Sequence, residues 1–437
     1  MNFRDWYSRL QNLNELHEIS HPISPEIQLA SVSRYLNRYP KALIFTNVIN
    51  SRFSVLANGF SSLNRISMAF GLQDWKELFL LGQQFFDNKK KDNLIQYHSS
   101  ILSEHFDLTK RGLAELPRII NWPEDTAPYI SLAVVTTRSP VTNSINSGIY
   151  RIEIENDDTA WIYLHDNSGA KKHFTEAINQ DITLPVTIAI GAPPALTILS
   201  ALTLPSDLEE LQYASALDPD GLATCIQGDF PPIPVDSEII ILGRLLLSNK
   251  HGARFGNFTG YYDQYYTKIK LEVCLTGIRK KAVYQTCIVG EPPSETSYMF
   301  KTSEALFLPF WRHQAPFIHN VILPVYSGFN EMVIVATDND SPAPEIFEQL
   351  RHLDPPISQK IICLTRPDQC DNSPETAVQI LIQGLKSNNI FCLENPKGTG
   401  LDARNIVAHK HRLDIQKDQK LALAILKKIE ENSEKYR

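Results

Sequence analysis

None of the six cysteines (Cys225, Cys274, Cys287, Cys363, Cys370 and Cys392) forms a CxxC pair. That spacing argues against a zinc ribbon and against a dense disulfide framework. Reduced thiols in a cytoplasmic protein, several of them small core residues, are the expectation. No apolar run reaches the roughly 18–20 residues that a membrane-spanning helix needs. The opening stretch MNFRDWYSRLQNLNELHEI carries charges where a signal peptide has an apolar segment. The chain is therefore expected to be soluble. Basic residues are not in excess: 42 Lys and Arg stand against 49 Asp and Glu, for a net charge of −7. A nucleic-acid footprint is missing. The short basic runs at 89–91 and 279–281 read as solvated surface. Phosphate-loop, dinucleotide, HExxH and GxSxG motifs are absent as well.

What is present is a change of pattern along 437 residues, a length that suits two to four domains. The stretch 1–116 mixes helix and strand signals. In SPEIQLASVSRYLNRY (24–39), Ser24 reads as an N-cap and Pro25 as the first helical residue. ALIF begins a strand, and SSLNRISMAFGL reads as a helix that stops near Gly71. Residues 73–116 read as mostly helical. From about 117 to 305, short β-rich runs separated by Gly, Pro, Asn and Asp predict a barrel or sandwich. PALTILSAL (194–202) is the helix among them. After 306, EMVIVAT, QKIICLT and NIFCLE alternate with the helical stretches PAPEIFEQLRHL and SPETAVQILIQGLKS. That alternation predicts a small α/β domain with a parallel sheet. The tail 419–437 reads as an amphipathic helix that packs on its own domain or on a second subunit.

Five stretches carry residues suited to chemistry. NSGIYR (146–151) packs an amide, a phenol and a guanidinium into a strand. Asn146 offers a carbonyl oxygen to a hard cation, and Arg151 offers a fork of donors to a carboxylate. A solvated surface strand is the plainer reading. SGAKKHF (168–174) is a small-residue turn leading to His173. IAIGAPPALTILSALTLP (188–205) is a strand-to-helix turn whose free N–H groups suit a phosphate, or an ordinary tight connection. Glu209 and Glu210 follow in an acidic run that would ordinarily face solvent. HGARFGNFTGYYDQYY (251–266) crowds glycines and aromatics as a pocket-lining loop does. NPKGTGLDARN (395–405) is a glycine-rich loop with Lys397, again compatible with a phosphate.

Read in order, these stretches resemble the UbiD family, the decarboxylases that use prenylated flavin mononucleotide. HPISPEIQLASVSRYL, ALIFTNV and VLANGFSSLNRISMAFGL are similar to the family's opening domain, and IVGEPPSE and GTGLDAR to later segments. The resemblance implies an α+β multidomain fold. A central split β-barrel binds the flavin, flanked by an N-terminal α/β domain (1–116) and a C-terminal α/β domain (306–437). It implies a divalent metal, Mn2+ or Mg2+, held by Asn146, His173 and Glu210 against the flavin phosphate, with K+ nearby. It implies flavin or substrate contacts at Ile149, Tyr150, Arg151, Tyr163, Leu164, Asn167, Ser168, Ser200, Ala201 and Lys397. A flavin prenyltransferase would supply the cofactor, and the chain would form a homodimer or homohexamer.

In the family, the arginine at position 151 stands between two acids. The sequence departs there. The acid positions hold Gly252 and Asn257, and Arg254 replaces a proline. An amide is no carboxylic acid. Arg151 and Asn257 are thus the candidate catalytic residues, with His251, Tyr261, Tyr262 or water as substitute proton donors. Two functions follow. One is a decarboxylase of an aromatic or α,β-unsaturated acid, for which a quinone precursor is the family-level substrate. The other is a flavin- and metal-binding homologue of weak or lost activity, serving as scaffold, carrier or regulatory subunit.

Overall fold

The strand Arg151–Ile154 shows how the sheet is built. Ile152 and Ile154 alternate with Arg151 and Glu153. The two isoleucines are buried in one core, at 0% and 2% exposure. Each such burial contributes roughly 1.5–3 kcal/mol. The polar pair faces the other side, as the period of two requires. In the computed structural model the neighbouring strand aligns Tyr163 with Arg151 and Trp161 with Glu153. Tyr129 lies across from Glu153 on the other side. One face of this region is therefore aliphatic, and the other carries Arg151, Glu153, Tyr163, Trp161 and Tyr129. The structure describes residues 1–37, 41–88, 94–110, 112–250, 252–265, 268–327, 331–357, 360–369, 389–393 and 398–404. Lys397, His251, Cys370, the run 89–91 and the stretches 373–387 and 419–437, both expected as helices, lie outside them.

Nine strands form the central sheet. The order is Tyr129–Ile130, Arg151–Ile154, Thr159–Tyr163, Lys268–Ile278, Ile239–Lys250, Leu184–Ile190, Ala133–Arg138 and Ile145–Ile149. Asp107–Thr109 adds beside the end of Lys268–Ile278. Every pairing in it is antiparallel. The last strand of that order, Ile145–Ile149, is followed in the chain by the second, Arg151–Ile154, with Tyr150 alone between them. Ser131 and Leu132 likewise link Tyr129–Ile130 at one edge to Ala133–Arg138 near the other. Two such short links bring the two ends of the sheet together, so the sheet curls into a half-barrel with a seam.

Among the described residues four smaller sheets flank it, one of them the two-stranded antiparallel hairpin of Ala253–Gly256 and Tyr262–Tyr265; the other three are larger. The first has Leu16–Ile19, Ala42–Phe45, Ser54–Ala57 and Val283–Gln285 in that order, so its outer strand comes from beyond the half-barrel. Leu94–Tyr97, Leu222–Cys225 and Ile233–Pro234 make the second. The third is mixed rather than parallel. Met332–Thr337 runs parallel to Ile361–Thr365, which runs parallel to Gly398–Asp402. Ile318–Ile322 and Ile390–Leu393 are antiparallel at its edges. The connections 323–331 and 394–397 are too short for a crossover, which takes a dozen residues or more.

Two local expectations change. The helix expected over 24–39 starts only at Gln28 and ends at Leu36. Ser24 Oγ accepts the Glu26 N–H at 3.2 Å, and Ile27 N–H goes to Ile120 O at 2.8 Å. The chain around Pro25 is thereby spent on a bridge to residue 120. Residues 94–97 and 107–109, expected within a mostly helical stretch, are strands. The helices Leu63–Ala69 and Pro194–Leu199 lie within their expected ranges. Among the described residues no helix is long and apolar enough to cross a membrane, and five cysteines are free.

Candidate active site

A cavity opens at the seam of the half-barrel. Ser131 and Leu132 line it from one link, and Ile149, Tyr150 and Arg151 from the other. Tyr163, Ser200, Ala201, Phe255 and Asn257 complete much of the wall. Ser200 is 6% exposed, and its hydroxyl has no hydrogen-bond partner among the described residues. A buried, unsatisfied hydroxyl on a cavity wall is costly unless a ligand meets it. Six of the residues assigned to the flavin therefore surround one space: Ile149, Tyr150, Arg151, Tyr163, Ser200 and Ala201. Burial raises the Tyr150 phenol above its ordinary pKa. Burial and the carboxylate of Glu153 raise Tyr163 further, so both stay neutral. The Tyr163 hydroxyl donates to Glu153, which also holds Lys268 Nζ at 2.6 Å.

The edge strand Ile145–Ile149 has three outward N–H groups, and each has an acceptor. Ile145 N–H donates to Glu209 at 2.8 Å, Ser147 N–H to Glu210 at 2.9 Å, and Ile149 N–H to Ser200 O at 3.1 Å. The two glutamates expected to face solvent thus seal a sheet edge. This edge also collects the three candidate metal ligands. Asn146 lies between the residues that Glu209 and Glu210 hold. Across the ladder it pairs with Thr137, whose hydroxyl meets His173 Nδ1 at 2.9 Å. A Cβ on Gly169 would overlap Asn146 Oδ1, so only glycine lets that helix start against the amide. Ser168 caps the same helix, Gly169–Asn179, which carries His173 one turn on. Burial holds His173 below its ordinary pKa, in the neutral form that ligates metals. Burial, with Glu209 adding its charge, pushes Glu210 up to about 7. A cation beside it would offset that penalty. Oxygen and imidazole donors suit Mn2+ or Mg2+. Among the described residues no three His, Cys, Asp or Glu side chains form a metal cluster. Asn146 is of none of those types.

Around Arg151 the arrangement is aromatic. Its guanidinium lies 4.6 Å from the ring of Phe255 and 5.6 Å from that of Tyr129. Nη2 donates to Gly256 O at 3.3 Å. The N–H of the same Gly256 donates to Asp125 Oδ1 at 2.8 Å. The other Asp125 oxygen accepts from Asn121 and Trp122. Sequence reasoning did not find Asp125, because it lies in an unremarkable loop far from the motif it supports. Burial raises its pKa, and the charge of Arg151 opposes that rise. Asn257 turns its Oδ1 onto the N–H of Phe258 at 2.7 Å. Arg254 points away, pairing with Glu124 at 2.5 Å and covering the Tyr262 ring. Tyr262 accepts the Glu124 N–H, and Tyr261 is solvent-exposed. Neither lines the cavity.

Other assigned residues fall elsewhere. Leu164 is buried and Asn167 is exposed, and neither these nor Ser168 lines the cavity. Residues 398–402, expected as a phosphate loop, form a strand. A Cβ on Gly398 would stand 2.7 Å from Lys360 O, and one on Gly400 2.5 Å from the Phe347 ring. Those glycines serve packing. The sequence reading also missed Cys287, Val289, Thr296, Met299 and Phe300 on the cavity wall. No motif marks them.

Comparison with known proteins adds an independent line. Residues 97–292 match the 3-octaprenyl-4-hydroxybenzoate carboxy-lyase Rift-related domain of UbiD, and residues 7–85 match the N-terminal domain of the same carboxy-lyases. An uncharacterized protein of Archaeoglobus fulgidus is 25% identical over 352 residues, covering 76% of this chain and 73% of its own. A subunit of 4-hydroxybenzoate decarboxylase from Chlamydia pneumoniae is 26% identical over 342 residues, covering 74% of this chain and 59% of its own. Among solved structures, the UbiD-class enzyme HmfF of Pelotomaculum thermopropionicum, in complex with prFMN, superimposes with a TM-score of 0.84 at 19% identity. That match covers 95% of this chain and 97% of the other. Vanillic acid decarboxylase of Sedimentibacter hydroxybenzoicus gives 0.81 at 18% identity, covering 98% of each. At such identities the likeness is one of fold.

Proposed function

The chain belongs to the UbiD family of carboxy-lyases, and on that premise we propose that it decarboxylates an aromatic or α,β-unsaturated acid with the help of prenylated FMN. The observation that carries this reading is the seam cavity, where a guanidinium and an unsatisfied hydroxyl converge on one space. Relatives and structural neighbours whose names specify 4-hydroxybenzoate or vanillic acid support an aromatic substrate.

When bound, the modified flavin supplies the electron sink that decarboxylation needs. The rest falls to the chain. Ile149, Tyr150, Tyr163, Ser200 and Ala201 hold the cofactor. Asn146, His173 and Glu210 would hold Mn2+ or Mg2+ beside the cofactor, whose charge the metal would offset. Arg151 takes the substrate carboxylate with its planar donors. The apolar wall of Leu132, Phe255, Val289, Met299 and Phe300 excludes water and accepts an aromatic ring. Desolvation in such a place weakens the hold on a carboxylate and favours its loss as neutral carbon dioxide.

A second reading has its own observation. Asn257 lines the cavity where the family carries an acid, which fits a flavin-binding homologue without turnover. One experiment separates the two. The chain is co-expressed with a flavin prenyltransferase, its absorption spectrum is recorded, and carbon dioxide release is assayed from 4-hydroxybenzoate, vanillate and cinnamate. Flavin absorbance with release supports the decarboxylase. Flavin absorbance without release supports the second reading, and no flavin at all sinks both.

A further inference from the structure

The proposed reaction must end with a proton on the carbon that loses carbon dioxide, and the family's acids are missing. Nearby carboxylates are engaged: Asp125 accepts three backbone N–H groups, and Glu153 holds Lys268 and the Tyr163 hydroxyl. His165, on the cavity wall, is solvent-exposed. One proton-bearing group on the wall has no role yet. Cys287 is 1% exposed and shares the cavity with Arg151. Its own carbonyl accepts the Ser131 hydroxyl at 2.7 Å, which ties it to the link between Tyr129–Ile130 and Ala133–Arg138.

Behind the thiol stands Glu295, 2% exposed, the first residue of the helix Glu295–Leu306. One of its oxygens accepts the Phe60 N–H at 2.8 Å. The other, Oε2, has no hydrogen-bond partner among the described residues, while the Cys287 side chain and the Gly59 N–H are set against the same carboxyl. The thiol is the donor of this pair: its hydrogen bond favours the Glu295 carboxylate and the protonated sulfur.

We propose that Cys287 is the proton donor of this cavity and that Glu295 restores its proton. The inference rests on the decarboxylase reading above. The bond to the departing carbon dioxide breaks and leaves its electron pair on carbon. That pair takes the proton of the Cys287 S–H, forming a C–H bond. The thiolate then takes the carboxyl proton of Glu295, which recovers one from water. The direction is downhill at the second transfer: burial pushes Glu295 up to about 7 but raises the Cys287 thiol well above its ordinary 9. A carboxyl with a pKa near neutrality is suited to proton transfer at that pH. Arg151, whose charge favours the thiolate, steadies it between the two transfers.

Two variants test the pair. Cys287→Ser keeps the shape and removes the thiol. Its kcat should fall at least 100-fold, with flavin absorbance retained and KM within about twofold. Turnover within fivefold of wild type overturns the donor role. Glu295→Gln is read without turnover. Flavin-free protein is treated with methyl methanethiosulfonate at pH 8, and Cys287 modification is followed by peptide mass spectrometry. Losing the neighbouring negative charge should speed modification about tenfold, one pK unit of thiol acidity. An unchanged rate overturns the coupling, whatever Cys287→Ser does. Failure of the decarboxylase reading looks different: wild-type protein then binds flavin and releases no carbon dioxide, while the modification arm still decides on the pair.

Discussion

Asp125 and Arg151 meet through the backbone of a single residue, Gly256. The carboxylate holds the N–H of Gly256 at 2.8 Å, and the guanidinium holds its carbonyl at 3.3 Å. The hairpin that carries Phe255 and Asn257 into the cavity is thereby locked to the strand that carries the arginine. Asp125→Asn should destabilise the protein by about 1–3 kcal/mol, the cost of leaving buried N–H groups unmet. It should also raise KM for the acid. Thermal unfolding and steady-state kinetics check the two effects, and an unchanged KM would show that the lock does not shape the site.

Gly256 itself has no room for a side chain. A Cβ there would overlap the indole of Trp122, whose Nε1 donates to Val289 O at 2.7 Å. Gly256→Ala should cost about 1–3 kcal/mol through overpacking. Val289 lines the cavity, so flavin affinity should drop with it, measured by fluorescence titration with FMN.

Glu209 and Glu210 seal neighbouring N–H groups of one edge strand, yet only Glu210 is assigned to the metal. Glu209→Gln should lose stability because it weakens a charge-assisted hydrogen bond, whereas Glu210→Gln should lose less at neutral pH, because it also removes the burial cost that raises Glu210 to about 7. Mn2+ affinity in the presence of FMN should fall at least tenfold for Glu210→Gln and less than threefold for Glu209→Gln. Calorimetric titration decides, and equal losses would remove Glu210 from the ligand set.

Glu295 predicts a pH dependence with a definite sign. Its folded pKa, about 7, lies above the ordinary 4.5. The folded state therefore binds more protons between those values, and its stability falls as pH rises from about 4.5 to 7. The group's share is on the order of 3 kcal/mol, since one pKa unit is worth about 1.4 kcal/mol. Glu295→Gln should flatten that part of the stability profile and stabilise the protein at pH 8. Urea unfolding at pH 5, 6, 7 and 8 reads the slope, and an identical slope in the variant would contradict the burial argument.

Replacing Arg151 by Lys keeps the charge and loses the planar fork. KM for the acid should rise about tenfold or more, because a lysine ammonium cannot reproduce bidentate contact or stack on Phe255. A KM within twofold of wild type would mean that Arg151 contributes charge alone.

Much of this was legible in the chain itself. Alternation in RIEI marked a strand with one apolar and one polar face, because a period of two leaves no other way to bury the isoleucines. Asn146, Tyr150 and Arg151 were visible as chemistry misplaced in a strand, and Gly71 as a helix end. The tertiary structure alone decided the rest. Short links at Tyr150 and at Ser131–Leu132 close the seam, and closure sets which distant residues share a wall. Asp125, Cys287 and Glu295 carry no local pattern; they acquire meaning from what packs against them. Glu209 and Glu210 looked solvated because charge in a loop usually is. They are held inward because an edge strand had N–H groups that only an acceptor from elsewhere in the chain could satisfy.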